Sequence, residues 1–141
     1  MPSALTFHAK LENAPRVSAW VAVRDDQDLI ALHAAIQKAF GWEDDHLYSF
    51  WLDGRFWGDR DAEYTRPDAL EEFDDPVMTA DVALASLSLE AGSRIAYVFD
   101  FGDEWRVRLT LRGTEDDDGG DYPRVVRRLG EAPPQYPDYD D

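Results

Sequence analysis

The chain contains no cysteine. Disulfides, thiolate metal centres and cysteine nucleophiles are therefore excluded. Positive charge is also scarce: 14 Lys and Arg stand against 30 Asp and Glu, a formal net charge of −16. Nucleic-acid binding draws chiefly on Lys and Arg at phosphates, so this balance predicts no direct binding to duplex DNA. Two small basic groups remain: Arg106, Arg108 and Arg112 at strand spacing, and Arg124, Arg127 and Arg128 close in sequence. No apolar run approaches the ~20 residues of a membrane span. The start, MPSALTFHAKLE, lacks the basic and apolar regions of a secretory signal. A cytoplasmic protein away from the membrane is expected. No Walker A loop or GxGxxG fingerprint is present, and no cofactor is expected.

What is present suits one globular domain over residues 1–141, with 44% apolar and 13% aromatic residues. Residues 5–11, LTFHAKL, alternate apolar and polar and predict a half-buried strand. Residues 17–23, VSAWVAV, predict a second strand, antiparallel to the first. A polar stretch at 24–28 supplies helix caps. Leu29, Leu32, Ile36 and Phe40 then fall at helical spacing, and Gly41 stands where a helix stop belongs. Asp53-Gly54 lies between the apolar stretches of HLYSFWLDGRFWG and predicts a hairpin turn there. Residues 59–81 read as an acidic, mobile loop, ending in Thr79-Ala80-Asp81 as caps for a short helix over 82–87. Residues 114–141 read as an acidic Pro/Gly-rich tail.

The stretch DFGDEW at 100–105 carries the tripeptide with which protein kinases hold magnesium. The other kinase parts are missing: no glycine-rich phosphate loop, no HRD loop, and no lysines except Lys10 and Lys38. The flanks decide the alternative. Ile95, Tyr97 and Phe99 share one strand face, and Trp105, Val107, Leu109 and Leu111 share another. Pairing must bring these two faces together, because a slip of one residue turns a whole face to water. A loop of three or five residues pairs 99 with 105 and 97 with 107. DFGDE is therefore read as a hairpin turn, with Gly102 supplying a positive φ.

Candidate chemistry is sparse. The histidines are His8, His33 and His46, with no pair at zinc-ligand spacing. His33 on the helix reads as a partly buried, hydrogen-bonded group. An EF-hand alignment on Gly119 puts Thr114 first and Val125 last, where carboxylates are needed, so no metal site is predicted. His46, Asp100 and Asp103 are the candidate acid–base residues, against a structural role for both aspartates at turn amides. Trp42, Trp57, Tyr97 and Trp105 are the candidate binding residues. An aromatic groove beside acids would suit a protein partner, in particular a cationic one.

Several marks occur in a fixed order: Gly41-Trp42, His46-Leu47, Asp53-Gly54, Trp57-Gly58, and Tyr97-Val98-Phe99-Asp100-Phe101-Gly102-Asp103-Glu104-Trp105. Together they resemble the plasmid pRiA4b ORF-3-like family, whose members often carry the label of insertion-element passenger proteins of TnpR type. The resemblance covers roughly residues 4–124. It implies an α+β fold and an association with mobile DNA, without an established activity. Members often carry Cys-Pro-Pro-Glu-Asp-Cys-Gly-Gly near the end; here Ala132-Pro133-Pro134-Gln135-Tyr136-Pro137 stands instead, so no thiol or metal role carries over. The expectation is an α+β single domain: a mainly antiparallel sheet with one main helix packed on it, ordered β-β-α-β-β-(short α)-β-β. In function a plasmid- or mobile-element-related domain is expected, acting as a non-catalytic protein-interaction module. The alternatives are an enzyme using His46 with Asp100 or Asp103, and an accessory factor to transposition or resolution acting through protein partners.

Overall fold

In the computed structural model, residues 3–68 and 77–133 are described. They form an α+β domain dominated by one eight-stranded sheet, with one α-helix. The strands are β1 (Ser3–Leu11), β2 (Ser18–Arg24), β3 (Tyr48–Trp51), β4 (Glu63–Thr65), β5 (Met78–Thr79), β6 (Arg94–Phe99), β7 (Trp105–Asp116) and β8 (Arg124–Leu129). Their order across the sheet is β5-β4-β3-β6-β7-β1-β2-β8. All neighbours are antiparallel except β4 and β5.

Alternation divides the sheet into two faces. Phe7, Ala9 and Leu11 of β1, Val21 and Val23 of β2, and Ile95, Tyr97 and Phe99 of β6 point to the helix side and are buried. Helix α1 (Leu29–Phe40) closes that side, burying Leu29, Leu32 and Ile36 completely. Its ends carry the expected signals. Asp28 Oδ1 accepts the Ala31 N–H at 2.9 Å, and Gly41 ends the helix in the left-handed region at φ 71°. Arg128 of β8 donates to the last-turn carbonyls of Ala39 and Lys38, which ties the edge strand to the helix terminus.

Among the described residues, the other face carries its apolar cover at the β3–β6 end. There Trp51, Ala96 and Val98 form a small second cluster under Phe56 and Phe101.

Four expectations about the elements are corrected, and a fifth about the DFGDE turn. Asp53-Gly54 does form a turn, but the strand returning to β3 is Glu63–Thr65, not the residues directly after the glycine. Arg55 to Gly58 instead fold back over the sheet, and Asp53 binds the Arg55 and Asp59 N–H groups through its two oxygens. The 59–81 segment contains β4 and β5, and its residues 69–76 lie outside the described set. The expected short helix over 82–87 is a 3-10 turn over Leu84–Leu87 without a side-chain cap. Finally, residues 114–129 are not a tail: β7 runs to Asp116, and β8 adds to β2 as an edge strand. The rest of that segment, 134–141, lies outside the described residues.

The DFGDE hairpin has the expected register, with Phe99 opposite Trp105 and Tyr97 opposite Val107. The glycine's role is corrected. Gly102 has no positive φ; Asp100 (φ 63°) and Glu104 (φ 54°) carry the left-handed residues of the five-residue turn. Aspartate tolerates that region because its short side chain bonds the local backbone. Here Asp100 Oδ1 accepts the N–H groups of Gly102 and Asp103.

Candidate functional site

The polar side chains gather at the rim where α1 ends and β3 begins. The connection from Gly41 to Leu47 must turn the chain back to the sheet, and it brings Asp44, Asp45 and His46 over the ends of β3 and β6. Asp100 N–H donates to Leu47 O, which fixes the DFGDE turn against this connection.

His46 Nε2 lies 3.4 Å from Asp100 Oδ2 and 3.5 Å from Asp45 Oδ1, and its ring meets Phe99 edge-on. His46 and Asp100, two of the candidate acid–base residues, are therefore in contact. Asp103 does not join it: its side chain is exposed, and it contributes only its backbone N–H to Asp100. Asp100 serves the turn through one oxygen and faces the imidazole with the other.

The second constellation is built on His33, of which the sequence shows only a partly buried helix histidine. His33 is buried and stacks on Tyr48 at 3.7 Å between ring centroids. Its Nδ1 is 2.7 Å from the hydroxyl of fully buried Tyr97, which also accepts a bond from Gln37 Nε2 at 3.0 Å. Its Nε2 is 2.9 Å from Asp44 Oδ1. Burial holds the His33 pKa below its ordinary value, with Asp44 pulling the other way. Burial raises the Tyr97 pKa well above the usual phenol range, so the phenol keeps its proton. The proton order follows: Tyr97 O–H donates to Nδ1, and the Nε2–H faces Asp44. Tyr48 is raised as well, by burial first and the Asp44 charge second.

A cavity of about 260 Å³ opens beside this chain, lined by Ile30, His33, Asp44, Tyr48, Arg66 and Asp68 among others. Arg66 bridges the two constellations, gripping Asp68 with two nitrogens and donating to His46 O with the third. Chemically, the rim can position and exchange protons. The Tyr97 hydroxyl beside His33 is sealed from solvent. Among the described residues no group of three or more His, Asp or Glu is arranged to hold a metal ion.

The aromatic candidates separate. Trp42 stacks on Phe99 and packs on Trp105, and both indoles belong to the helix-side core. Tyr97 is inside the same core. Trp57 alone of the four presents its ring to solvent, at 45% exposure. It lies on the opposite face, packed on Trp51 and Phe101, and its indole N–H donates to Glu104 Oε1 at 2.7 Å. It also adopts φ 55°, uncommon for a bulky residue.

The family model for the plasmid pRiA4b ORF-3-like protein matches residues 3–136. The chain belongs to that family. It is 32% identical over 109 residues to the uncharacterized protein y4hQ of Sinorhizobium fredii (strain NGR234), covering 76% of this chain and 52% of that protein. The chain thus spans about half the length of this curated relative. A solved structure, the protein of unknown function MM3350 from Methanosarcina mazei Go1, has the same fold. It superposes with a TM-score of 0.77 at 23% identity, over 96% of this chain and 74% of that one. The ORF-3-like marks now have places: Gly41-Trp42 ends the helix and fills the core, and His46 and Asp100 meet at the rim.

Proposed function

We infer that this ORF-3-like domain is a non-catalytic protein-interaction module, with Trp57 as its contact residue for a cationic partner. The observation that carries this reading is the exposed indole of Trp57, held in a strained left-handed conformation against Trp51, Phe101 and Glu104. Strain at an exposed aromatic is maintained by its surroundings and points to use. A tryptophan already fixed by packing loses little freedom on binding, which is why such residues dominate interface energies. The Glu104 carboxylate beside it, held below its ordinary pKa by Arg106 and the Trp57 N–H, stays charged at neutral pH. Asp103 is one residue away. A Lys or Arg of the partner meets a ring face and carboxylates together.

The enzyme reading draws on the His46–Asp100 contact, but one Asp100 oxygen serves the turn amides and Asp103, exposed, does not join the contact. A link with plasmids or mobile elements rests on the family's name. The test is selection of displayed peptides on the immobilised domain. Basic peptides that lose binding to Trp57→Ala and to Glu104→Lys are expected. Enrichment of acidic or purely apolar peptides, or binding indifferent to Trp57→Ala, overturns the reading.

A further inference from the structure

The half of the open sheet face away from Trp57 has a different character. One cross-strand row runs over five adjacent strands: Arg127 pairs with Trp20, Trp20 with His8, His8 with Thr110, and Thr110 with Arg94. At a strand spacing of about 4.8 Å this row is about 19 Å long. The next row, through Leu129, Ser18, Lys10 and Arg108, adds two more cations. Arg112 lies over the Trp20 ring at 5.9 Å, and the His8 ring meets Trp20 edge-on at 4.9 Å. No residue of either row is acidic.

That absence is informative in a chain with 30 acids. Four arginines off these two rows take carboxylate partners: Arg24 with Asp26, Arg66 with Asp68, Arg106 with Glu104, Arg124 with Asp118. On this strip only Arg108 does, with Glu12. Lys10, Arg94, Arg112 and Arg127 form no ion pair among the described residues. Among the described residues these four cations share the strip with one half-buried indole and one imidazole, Arg112 and Arg127 beside Trp20 and Arg94 at the far end of the row. The local field is positive: the proton affinity of His8 is lowered first by burial and then by Arg112 and Lys10. Screening over ~8 Å at physiological salt lets such a patch act apart from distant carboxylates.

We propose that this strip is a platform for single-stranded nucleic acid, with Trp20 as the stacking surface and the unpaired cations holding the phosphates. The pattern of cations at intervals around an aromatic matches what single strands require, because every base has a face to stack and every link a charge. An acidic protein segment would satisfy the charges but would leave the Trp20–His8 surface without a planar partner. A duplex keeps its bases stacked on each other and cannot use Trp20. This surface is separate from Trp57, which lies at the other end of the same face.

The test is fluorescence anisotropy of a labelled oligo(dT) of about twelve nucleotides against the full chain, at ~50 mM and ~150 mM salt. Saturable binding in the micromolar range is expected at the lower salt, weakening as salt rises. Arg94→Glu with Arg127→Glu, both at exposed positions, weakens it at least about tenfold while thermal melting confirms the fold. Trp20→Leu weakens it by about tenfold through lost stacking, and Trp20→Phe, which keeps a ring, restores most of it. Absence of saturable binding at ~50 mM salt overturns the proposal. So does equal binding by Trp20→Leu and Trp20→Phe. Competition by polyglutamate as effective as that by unlabelled oligo(dT) assigns the strip to acidic proteins and overturns it equally.

Discussion

Phe99 stands directly opposite Trp105 across the β6–β7 hairpin, and Trp42 from the end of α1 packs against both rings. The hairpin, the helix terminus and the rim that carries His46 are thus fastened at one aromatic contact. Truncation there loses burial and leaves a cavity. Trp105→Ala is expected to destabilise the domain by about 3–5 kcal/mol in urea titration. Trp105→Phe is expected to lose clearly less, because the indole N–H finds no acceptor among the described residues and its removal leaves nothing unpaired. A loss below about 1 kcal/mol for Trp105→Ala would show that this contact does not hold the hairpin.

The turn itself distributes its demands unexpectedly. Gly102 lacks the left-handed conformation, and an added Cβ meets only Asp100 Oδ1 at 3.5 Å, an ordinary contact. Gly102→Ala is therefore expected to change stability by no more than about 0.5 kcal/mol. Asp100→Ala leaves two turn amides without their acceptor and puts alanine at φ 63°. A loss of about 1–3 kcal/mol is expected. The comparison is made by denaturant midpoints, and the reverse order of the two effects would return the turn to its glycine.

The contrast shows what was legible in the sequence. Strong periodicity placed β1, β2 and α1, and the facing apolar sets of residues 95–99 and 105–111 fixed the hairpin register. That register required an odd loop, but nothing in DFGDE distinguishes a left-handed aspartate from a left-handed glycine. Strand β8 was missed because Arg124-Val125-Val126-Arg127-Arg128-Leu129 does not alternate. A shift of register between Trp20 and Val21 accommodates the extra residue in the pairing. The strand after Asp53-Gly54 was misplaced because Phe56 and Trp57 look like strand residues, yet they cover the sheet rather than join it. The His33–Tyr97 pair is 64 residues apart in the chain, and only the packing of α1 on the sheet unites it. His46 and Asp100 are legible in the sequence as titratable types, and only the fold brings them together.

A pH dependence follows from His33. Its folded pKa is depressed, chiefly by burial, so the folded state disfavours the charged imidazole. The unfolded chain binds the proton more readily, near the ordinary value of about 6.5. The stability from keeping His33 neutral is therefore present above about pH 6.5 and is lost as pH falls through the folded value. His8 is depressed too and contributes in the same direction. Urea midpoints measured from about pH 7.5 to 5 are expected to fall for the wild type and to fall less for His33→Gln. Parallel curves for the two proteins would mean that His33 takes up its proton in the fold at no disadvantage.

The last expectation concerns duplex DNA. Nonspecific duplex binding at physiological salt, in the range ~10⁻⁴–10⁻⁶ M, is supplied by several cations neutralising phosphates together. Of the three β7 arginines at strand spacing, Arg106 is paired with Glu104 and Arg108 with Glu12, leaving Arg112 without a carboxylate among the described residues. The unpaired cations of the open face lie on a broad sheet, which does not enter a groove about 12 Å wide as a helix or a two-stranded ribbon does. A duplex also withholds its bases from Trp20, so only charge would act, against a net −16. The purified chain is therefore expected not to bind random or element-end duplexes at ~150 mM salt in an anisotropy titration. Micromolar or tighter duplex binding that weakens steeply with salt would show that the cationic strip dominates the field of the whole protein. It would also restore weight to a direct role on mobile DNA.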